Sequence, residues 1–338
     1  MRKELGTFIL LVVLCAVVAV LNPRFLGGAN LQNMARLIGM YGIFSLGIGV
    51  VIITGGIDLS VGSMFALLGV LLSLMLVTWH WPPALAVSAV MCVSLGLGLI
   101  HGWLVTRVRI QPFIVTLCGL LFYRGLARFI ANDETKGFGT GAGFEWLQRL
   151  ATGSLFGVPA PFILLLLIAA VMWVVLHRSI YGRYLFAVGR NEEAARYSGI
   201  NARNIIASAY VVSGLTAGVA GILLAFYTNS VSPSSHGNFF ELYGIAAAVL
   251  GGCSLRGGEG SVVGILIGTA LLQVLQNLVN LLGIPSSLNF AVMGAVILIG
   301  VVADQLLKQR RPHAVARAST SGGAPPPQMA AGQTGGAD

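Results

Sequence analysis

The first feature of the sequence that could do chemistry is a carboxylate in a glycine-rich break between two apolar segments. Residues 54–63 have the sequence TGGIDLSVGS, which places Asp58 and Ser60 after the pair Gly55 and Gly56. A carboxylate beside apolar segments is costly without hydrogen bonds, so we expect Asp58 to cap the following helix with help from Ser60. A capped turn is the simpler interpretation, but helix breaks inside a membrane also line transport pathways. We therefore place these four residues on a candidate substrate pathway.

Four amide side chains form a second polar feature, because they recur at the spacing of one helix face. This amide stripe consists of Gln273, Gln276, Asn277 and Asn280, at positions i, i+3, i+4 and i+7. Amides that face lipid are costly, so the stripe should face neighbouring helices or a wet cavity. It either forms hydrogen bonds between helices or offers donors and acceptors to a neutral polyol in the pathway.

A short polar segment in the middle of the chain has the pattern of a surface helix. Acidic residues open it, two alanines occupy its centre and a glycine ends it. Such a helix either lies on the membrane surface or docks with a cytosolic partner, and the lack of a nucleotide motif in this chain favours docking. The residues that we assign to this docking segment are Asn191, Glu192, Glu193, Ala194, Ala195 and Gly199.

A second glycine-rich stretch, VLGGCSLRGGEGS at 249–261, is similar to GGIDLSVGS and hints at an internal repeat. Five glycines lie within residues 251–260 and end a short apolar segment. Short, glycine-interrupted segments in both halves of a chain are typical of transport sites.

Enzymatic and metal chemistry find no support in the sequence. None of the three lysines lies in GxxxxGK[ST], so the chain cannot itself be a Walker-type ATPase. There is no HExxH motif and no Ser/His/Asp arrangement, and the four cysteines lie apart in apolar stretches. We predict no catalytic residue, no metal site and no cofactor bound by this chain.

Few charges lie within the apolar segments, which favours a neutral small solute over an ion. Apart from Asp58, they are Glu241 and the pair Arg124 and Arg128. The two arginines lie close to the acidic residues 133–134, so we expect local salt bridges there.

Composition identifies the elements that must position these residues. Hydrophobic residues make up 56% of the 338 residues and charged residues 9%, against about 25% charged in a soluble domain. A soluble protein with so few charges could not cover its surface. Continuous apolar runs of this length must be helices in lipid, and they do not alternate as barrel strands do. The sequence therefore predicts an all-α membrane protein with ten spans, at 5–21, 35–54, 60–78, 84–106, 112–130, 161–177, 205–227, 241–255, 260–281 and 287–303.

Charge sorted by position predicts the orientation of these spans. With the N-terminus inside, fourteen of the 20 lysines and arginines fall on the inside and six on the outside. This asymmetry predicts both termini inside, and it explains the net charge of +9 without nucleic acid as a partner. We expect a membrane domain over residues 1–308, with an extracytoplasmic segment at 131–160 and an inside loop at 178–204. The low-complexity tail 309–338 is expected to be disordered.

Four stretches, in order, resemble the permease subunits of bacterial ABC importers for simple sugars, the branch that carries ribose, xylose, galactose and furanosyl autoinducers. They are GGIDLSVGS, QPFIVTLCGLLFYRG at 111–125, YGRYLFAVGRNEEAARYSGIN at 181–201 and AAAVLGGCSLRGGEGSVVGILIG at 246–268. The resemblance covers about residues 5–308. The stretch NLVNLLGIPSSLNF at 277–290 is most similar to the ribose-type members.

The resemblance implies a bacterial inner-membrane complex of two permeases, identical or related, with two cytosolic ABC ATPases and a periplasmic sugar-binding protein. ATP and Mg would then be bound by the ATPase chains. The string Glu193-Ala194-Ala195…Gly199 matches the coupling loop that docks in a groove of the ATPase. The GGIDLS region of the family is associated with the translocation pathway.

Two departures from the family pattern bear on these expectations. Many relatives have Glu-Leu-Asp-Ala before the eighth span, where this chain has Glu241 and then Tyr243-Gly244. Arg190 stands where glycine is common. The Tyr243-Gly244 departure weakens the case for pathway chemistry near Glu241. Arg190 weakens the expectation that the coupling loop has the detailed geometry of the family.

Two function classes therefore remain. An ABC importer permease is the leading hypothesis. The alternative is a proton-coupled secondary transporter of a small polar solute that works alone, with Asp58 as its proton carrier.

Overall fold

A computed structural model describes residues 2–139 and 143–285 and the single residues 288, 291, 294, 295 and 298. The helices are α1 (Arg2–Leu21), α2 (Gly28–Ile53), α3 (Val61–Ser73), α4 (Pro83–Trp103), α5 (Pro112–Ala131), α6 (Glu145–Thr152), α7 (Ala160–His177), α8 (Ile180–Arg190), α9 (Glu192–Tyr197), α10 (Ala202–Thr228), α11 (Phe240–Leu250) and α12 (Val262–Leu281). A 3₁₀ helix (Pro23–Leu26) precedes α2, and π-helical turns at Leu74–Thr78 and Leu104–Val108 extend α3 and α4.

Four two-residue strands form two small antiparallel pairs. β1 (Lys136–Gly137) pairs with β4 (Ser230–Val231), and β2 (Ser154–Leu155) pairs with β3 (Val158–Pro159). The rest of the regular structure in the described part of the chain is helical, which confirms the predicted all-α class.

Within the described ranges, eight helical segments are long and apolar enough to cross a membrane. They are Glu4–Leu21, Gly28–Ile53, Val61–Thr78, Pro83–Val108, Pro112–Ala131, Ala160–His177, Ala202–Thr228 and Val262–Leu281. Each corresponds to one of the ten predicted spans. The described residues up to 295 group as one compact unit.

The remaining two predicted spans have different outcomes. The segment predicted at 241–255 is the eleven-residue helix α11, because the glycine-rich stretch from Gly251 ends it early. The segment predicted at 287–303 lies almost entirely outside the described residues, and the predicted tail 309–338 lies wholly outside them.

Small residues allow the central helices to touch. A β-carbon on Gly98 of α4 would lie 2.5 Å from the backbone oxygen of Tyr210 in α10. One on Gly214 of α10 would lie 2.7 Å from the backbone oxygen of Ser94, whose hydroxyl donates to the Gly214 carbonyl. Close packing through small residues is typical of membrane helices. Among the helices, α2, α3 and α10 contribute the most buried residues.

Two short helices begin inside this core with their N-termini side by side. α3 begins only after the break at residues 54–60, and α11 begins after Phe239, which has a φ of 65°. The Glu241 carboxylate lies against Gly62, in the first turn of α3. Carboxylates favour the positive end of a helix dipole, so Glu241 stabilises this meeting of helix ends.

Candidate functional site

Asp58 is buried and tied to two elements. Its Oδ1 accepts hydrogen bonds from the backbone N–H of Ser60 at 3.0 Å and from the Ser60 hydroxyl at 2.7 Å. Its Oδ2 accepts one from the hydroxyl of Ser213, in α10, at 2.7 Å. These three donors satisfy a carboxylate that is only 2% exposed. Asp58 therefore fastens the break between α2 and α3 to α10.

The prediction that Asp58 caps α3 is wrong. The N-cap position is Ser60, which makes no side-chain capping bond. Asp58 accepts the N–H of Ser60 itself, two residues on, and this is a local turn ahead of the helix. The carboxylate that reaches the first turn of α3 belongs to Glu241, from a distant part of the chain.

Three aromatic side chains surround this loop, and the sequence interpretation missed them. The Tyr123 hydroxyl and His101 Nε2 share a hydrogen bond at 2.8 Å, and their rings stack 5.6 Å apart. Tyr210 packs edge-on to His101, and a β-carbon on Gly56 would lie 2.6 Å from the Tyr210 hydroxyl. This hydroxyl has no hydrogen-bond partner in the described part of the chain. A lone histidine inside an apolar span was the signal that could have revealed the cluster.

One residue of the amide stripe, Asn277, forms hydrogen bonds between helices, and Gln276 is partly buried. Asn277 Nδ2 donates to Asn30 Oδ1 at 2.7 Å, and Asn30 Nδ2 donates back to Asn277 Oδ1 at 3.1 Å. Gln273 is buried and Asn280 is exposed. No hydrogen bond among the described residues links the stripe to the Asp58 loop, so the two parts of the predicted pathway remain separate.

The docking segment forms the predicted short amphipathic helix, α9. The Asn191 side chain caps it by accepting the N–H of Ala194 at 2.9 Å. Ala195 is buried and packs in a small cluster with Val188 and Ala202. Glu192, Glu193 and Ala194 are exposed, and the turn ends at Gly199, which is also exposed and has a φ of 82°. The helix thus rests on the membrane domain through one alanine and presents its acidic face outward.

One cavity of about 400 Å³ joins the two predicted motifs. Its lining includes residues of the helix break and of α9, namely Thr54, Gly55, Gly56, Glu192 and Arg196. Arg109 and Arg203 also line it, so its charge is positive overall. Asp58 and Ser60 are buried and are not among the lining residues. The structure therefore brings the glycine pair, but not the carboxylate, next to the docking segment.

Arg124 does not form the predicted salt bridge. Its guanidinium donates to the backbone carbonyls of Pro233 at 3.1 Å, His236 at 2.7 Å and Gly62 at 3.4 Å. It thus joins the loop before α11 to the start of α3, which local charge spacing could not predict.

The prediction of a salt bridge is confirmed for Arg128. Its Nε lies 2.6 Å from Asp133 Oδ1, and this hydrogen bond lowers the pKa of Asp133. Lys136 pairs with Glu134 at 2.7 Å and lowers the pKa of that carboxyl. Both ion pairs are on the surface, where such pairs contribute little to stability.

His236 is the buried histidine of the loop before α11. Burial, together with the charge of Arg124, lowers its pKa to about 4. Its Nε2 has no hydrogen-bond partner among the described residues. It is therefore neutral near neutral pH.

Comparison with known proteins gives the chain a family. A family model described as the permease component of the branched-chain amino acid transport system matches residues 30–301. The ribose import permease protein of Bacillus subtilis (strain 168) is 39% identical, and the match covers 90% of this chain and 93% of the relative. The ribose import permease protein of Escherichia coli (strain K12) is 37% identical, with 89% and 93% covered.

A relative with another sugar in its name matches over a similar length. The xylose transport system permease protein of Escherichia coli (strain K12) is 31% identical, with 88% of this chain and 92% of the relative covered. No solved structure matches the chain at a significant level. On this similarity over most of its length, together with its apolar helices, the chain belongs to this family of transport-system permeases and is a multi-pass membrane protein similar to the ribose and xylose permeases of ABC importers.

Proposed function

We propose that this chain is the transmembrane permease subunit of an ABC importer that carries a simple neutral sugar of the ribose type across the bacterial inner membrane. The observation that carries the proposal is the cavity shared by Gly55 and Gly56 of the helix break and by α9. A surface helix that meets a break in a membrane helix is placed to turn an external motion into a change in the pathway.

Two properties of the chain support a neutral substrate. The charged groups in its core are engaged within the protein: Asp58 by three donors and Arg124 by three carbonyls. The family description names branched-chain amino acids, whereas relatives that match about nine-tenths of this chain are named for ribose and xylose. These relatives favour a pentose over a charged amino acid.

The partners follow from this proposal. Cytosolic ATPase chains bind ATP and Mg and dock on the segment 191–199. A second permease, identical or related, completes the membrane part within the lipid, and a periplasmic sugar-binding protein delivers the substrate. Both termini lie inside, and nucleic acid has no role.

The alternative, a transporter driven by protons through Asp58, has less support. A proton carrier must exchange its proton with water along the pathway, but this carboxylate is buried and both of its oxygens accept hydrogen bonds. It also does not line the cavity.

The docking role is tested by the change Gly199→Glu. Gly199 has a φ of 82°, and no atom lies within 4 Å of the position of a β-carbon. A glutamate there adds charge and bulk to the exposed turn and strains it by about 1–2 kcal/mol. We expect the ATPase to co-purify at least tenfold less and sugar uptake to be lost, with the membrane domain still folded and its thermal unfolding temperature lowered by only a few degrees.

Gly28→Glu is the matched control. Gly28 is also exposed with open space around it, and it begins α2, where an acidic residue suits the helix dipole. Its ATPase binding and uptake should equal those of the wild type. Normal uptake in Gly199→Glu would rule out docking at this turn.

A further inference from the structure

Three stretches that are distant in the sequence meet at one point on the inner side of the helix break. They are the end of α2, the end of α8 and the glycine-rich stretch 251–260. The backbone N–H of Gly258 donates to the carbonyl of Ile53, the last residue of α2, at 2.8 Å. The last carbonyls of a helix lack partners within the helix, so Gly258 satisfies one of them from 205 positions away. Gly257 and Gly258 have φ angles of 83° and 73°.

The contacts at this point leave no room for side chains. A β-carbon on Gly189 of α8 would overlap the carbonyl oxygen of Ile53 and lie 2.7 Å from the nitrogen of Gly258. A β-carbon on Gly257 would lie 2.5 Å from the oxygen of Gly189 and 2.9 Å from the nitrogen of Gly55. Backbone therefore touches backbone. We call these five residues, Ile53, Gly55, Gly189, Gly257 and Gly258, the glycine joint.

The joint connects the docking segment with the loop that carries Asp58. Gly189 lies two residues before Asn191, the residue that ends α8 and caps α9. Gly55 lies three residues before Asp58, and Asp58 in turn is bonded to Ser213 of α10. Because backbone contacts cannot yield by rotating a side chain, a displacement of α8 must shift the end of α2, the stretch 251–260 or both.

We propose that the glycine joint transmits movement of α9 to the break between α2 and α3. The movement passes through the backbone contacts that Gly257 and Gly258 make with α8 and with the end of α2. This inference rests on the proposed function, since it assumes that a partner moves α9. It assigns a role to the glycines of the stretch 251–260. The hypothesis of an internal repeat does not explain these glycines. It also explains how the fold accommodates Arg190. A β-carbon on Gly258 would lie 3.0 Å from that of Arg190, so residue 258 must be glycine when residue 190 carries a side chain.

The first test is the change Gly189→Ala, with Gly125→Ala as the control. A β-carbon on Gly125 meets no atom within 4 Å. The complex with its ATPase and binding protein is purified and placed in liposomes. For Gly189→Ala we expect normal co-purification of the ATPase, ATP hydrolysis that the sugar-loaded binding protein no longer stimulates, and uptake reduced at least tenfold. The control should match the wild type.

The second test pairs a clash with its relief. In Gly258→Ala the added β-carbon would lie 3.0 Å from the β-carbon of Arg190, so we expect uptake reduced at least tenfold with the ATPase still bound. Arg190→Gly removes one of the two β-carbons, so the double variant Arg190→Gly with Gly258→Ala should recover part of the uptake. Arg190→Gly alone is the control and should match the wild type.

Three results would overturn the joint. One is uptake at the wild-type rate in Gly189→Ala or in Gly258→Ala. Another is loss of the ATPase from Gly189→Ala, which would place this residue in docking. The third is equal loss of uptake in Gly258→Ala and in its double variant with Arg190→Gly, which would contradict the contact between residues 190 and 258. Failure of the proposed function differs from all three, because the wild-type chain itself would then import sugar without ATP or without the binding protein.

Discussion

The buried carboxylate Asp58 has the environment of a structural tie. Its oxygens accept hydrogen bonds from the loop that it belongs to and from Ser213, 155 positions away. A chain that breaks a helix inside an apolar core must satisfy the exposed backbone and hold the loop in one position. Asp58 serves the second need, because it fixes the loop to α10, the helix that runs through the core.

Comparing Asp58→Asn with Asp58→Ala separates the structural role of this carboxylate from a role in proton transport. Asparagine keeps the shape and one acceptor oxygen, whereas alanine leaves two buried hydroxyls without their acceptor, at a cost of about 1–3 kcal/mol for each unsatisfied group. We expect thermal unfolding in detergent at a clearly lower temperature for Asp58→Ala than for Asp58→Asn. Asp58→Asn should retain most of the sugar uptake. Complete loss of uptake with normal folding in Asp58→Asn would instead favour a proton carrier.

A pH dependence follows from His236. Its pKa lies at about 4 in the folded chain, below the ordinary value of 6.5. Between these values the unfolded chain takes up a proton at this position and the folded chain does not, so this group lowers stability as the pH falls through the window. Thermal unfolding at pH 7.5 and pH 5.0 should therefore differ less in His236→Gln than in the wild type.

The exposed residue His80 provides the control for this experiment. His80→Gln should keep the wild-type difference between the two pH values. The nearby charges of Arg124 and Glu241 are the same in all three proteins. An unchanged difference in His236→Gln would show that His236 is protonated freely in the fold.

Among the elements, α12 shows how a polar helix face is used. The amide stripe at 273–280 fits two roles in the sequence, and the structure pairs Asn277 with Asn30 of α2 in two reciprocal hydrogen bonds. Apolar surroundings make an unpaired amide costly, so the pair specifies how α12 packs on α2.

This packing role predicts non-additive effects of substitution. Asn30→Leu and Asn277→Leu should each lower the unfolding temperature, because each leaves one amide without its partner. The double variant should be more stable than the sum of the two changes implies, since replacing both partners by apolar groups can be nearly neutral. Its sugar uptake should remain. Additive losses of stability would contradict the pairing, and lost uptake in a stable double variant would instead place the pair in the pathway.

The elements themselves follow largely from the sequence. Apolar runs predicted eight of the segments that are long enough to span, and the acids, alanines and glycine of 191–199 predicted α9 with its exposed acidic face. These signals are local, since helix period, capping and termination depend on residues within a few positions. The early end of α11 at Gly251 was a local signal too, but the apolar residues that follow it obscured the boundary.

Contacts between residues that are distant in the sequence could not be predicted from this one sequence. Spacing suggested that Asp58 caps α3 and that Arg124 bonds to nearby acids. The structure gives Asp58 a partner in α10 and Arg124 three carbonyls, two of them in the loop before α11. In a helix bundle, partners of this kind depend on which helices become neighbours, and hydrophobic patterns do not specify that choice.

Over the whole molecule, the features with functional meaning converge around one cavity. The glycine pair of the break, the acidic face of α9 and the glycine joint lie at or beside it. The arginines at its rim belong to the side that the charge asymmetry of the sequence places in the cytoplasm. A membrane domain that contacts its driving partner there needs no nucleotide site of its own.

The most direct test of this proposal is uptake of labelled ribose into liposomes that hold the chain with its ATPase, with ATP inside and the sugar-binding protein outside. We expect accumulation that requires both ATP hydrolysis and the binding protein, and that persists when the pH gradient is collapsed. Accumulation driven by an imposed pH gradient, without ATP and without the binding protein, would contradict the proposed function.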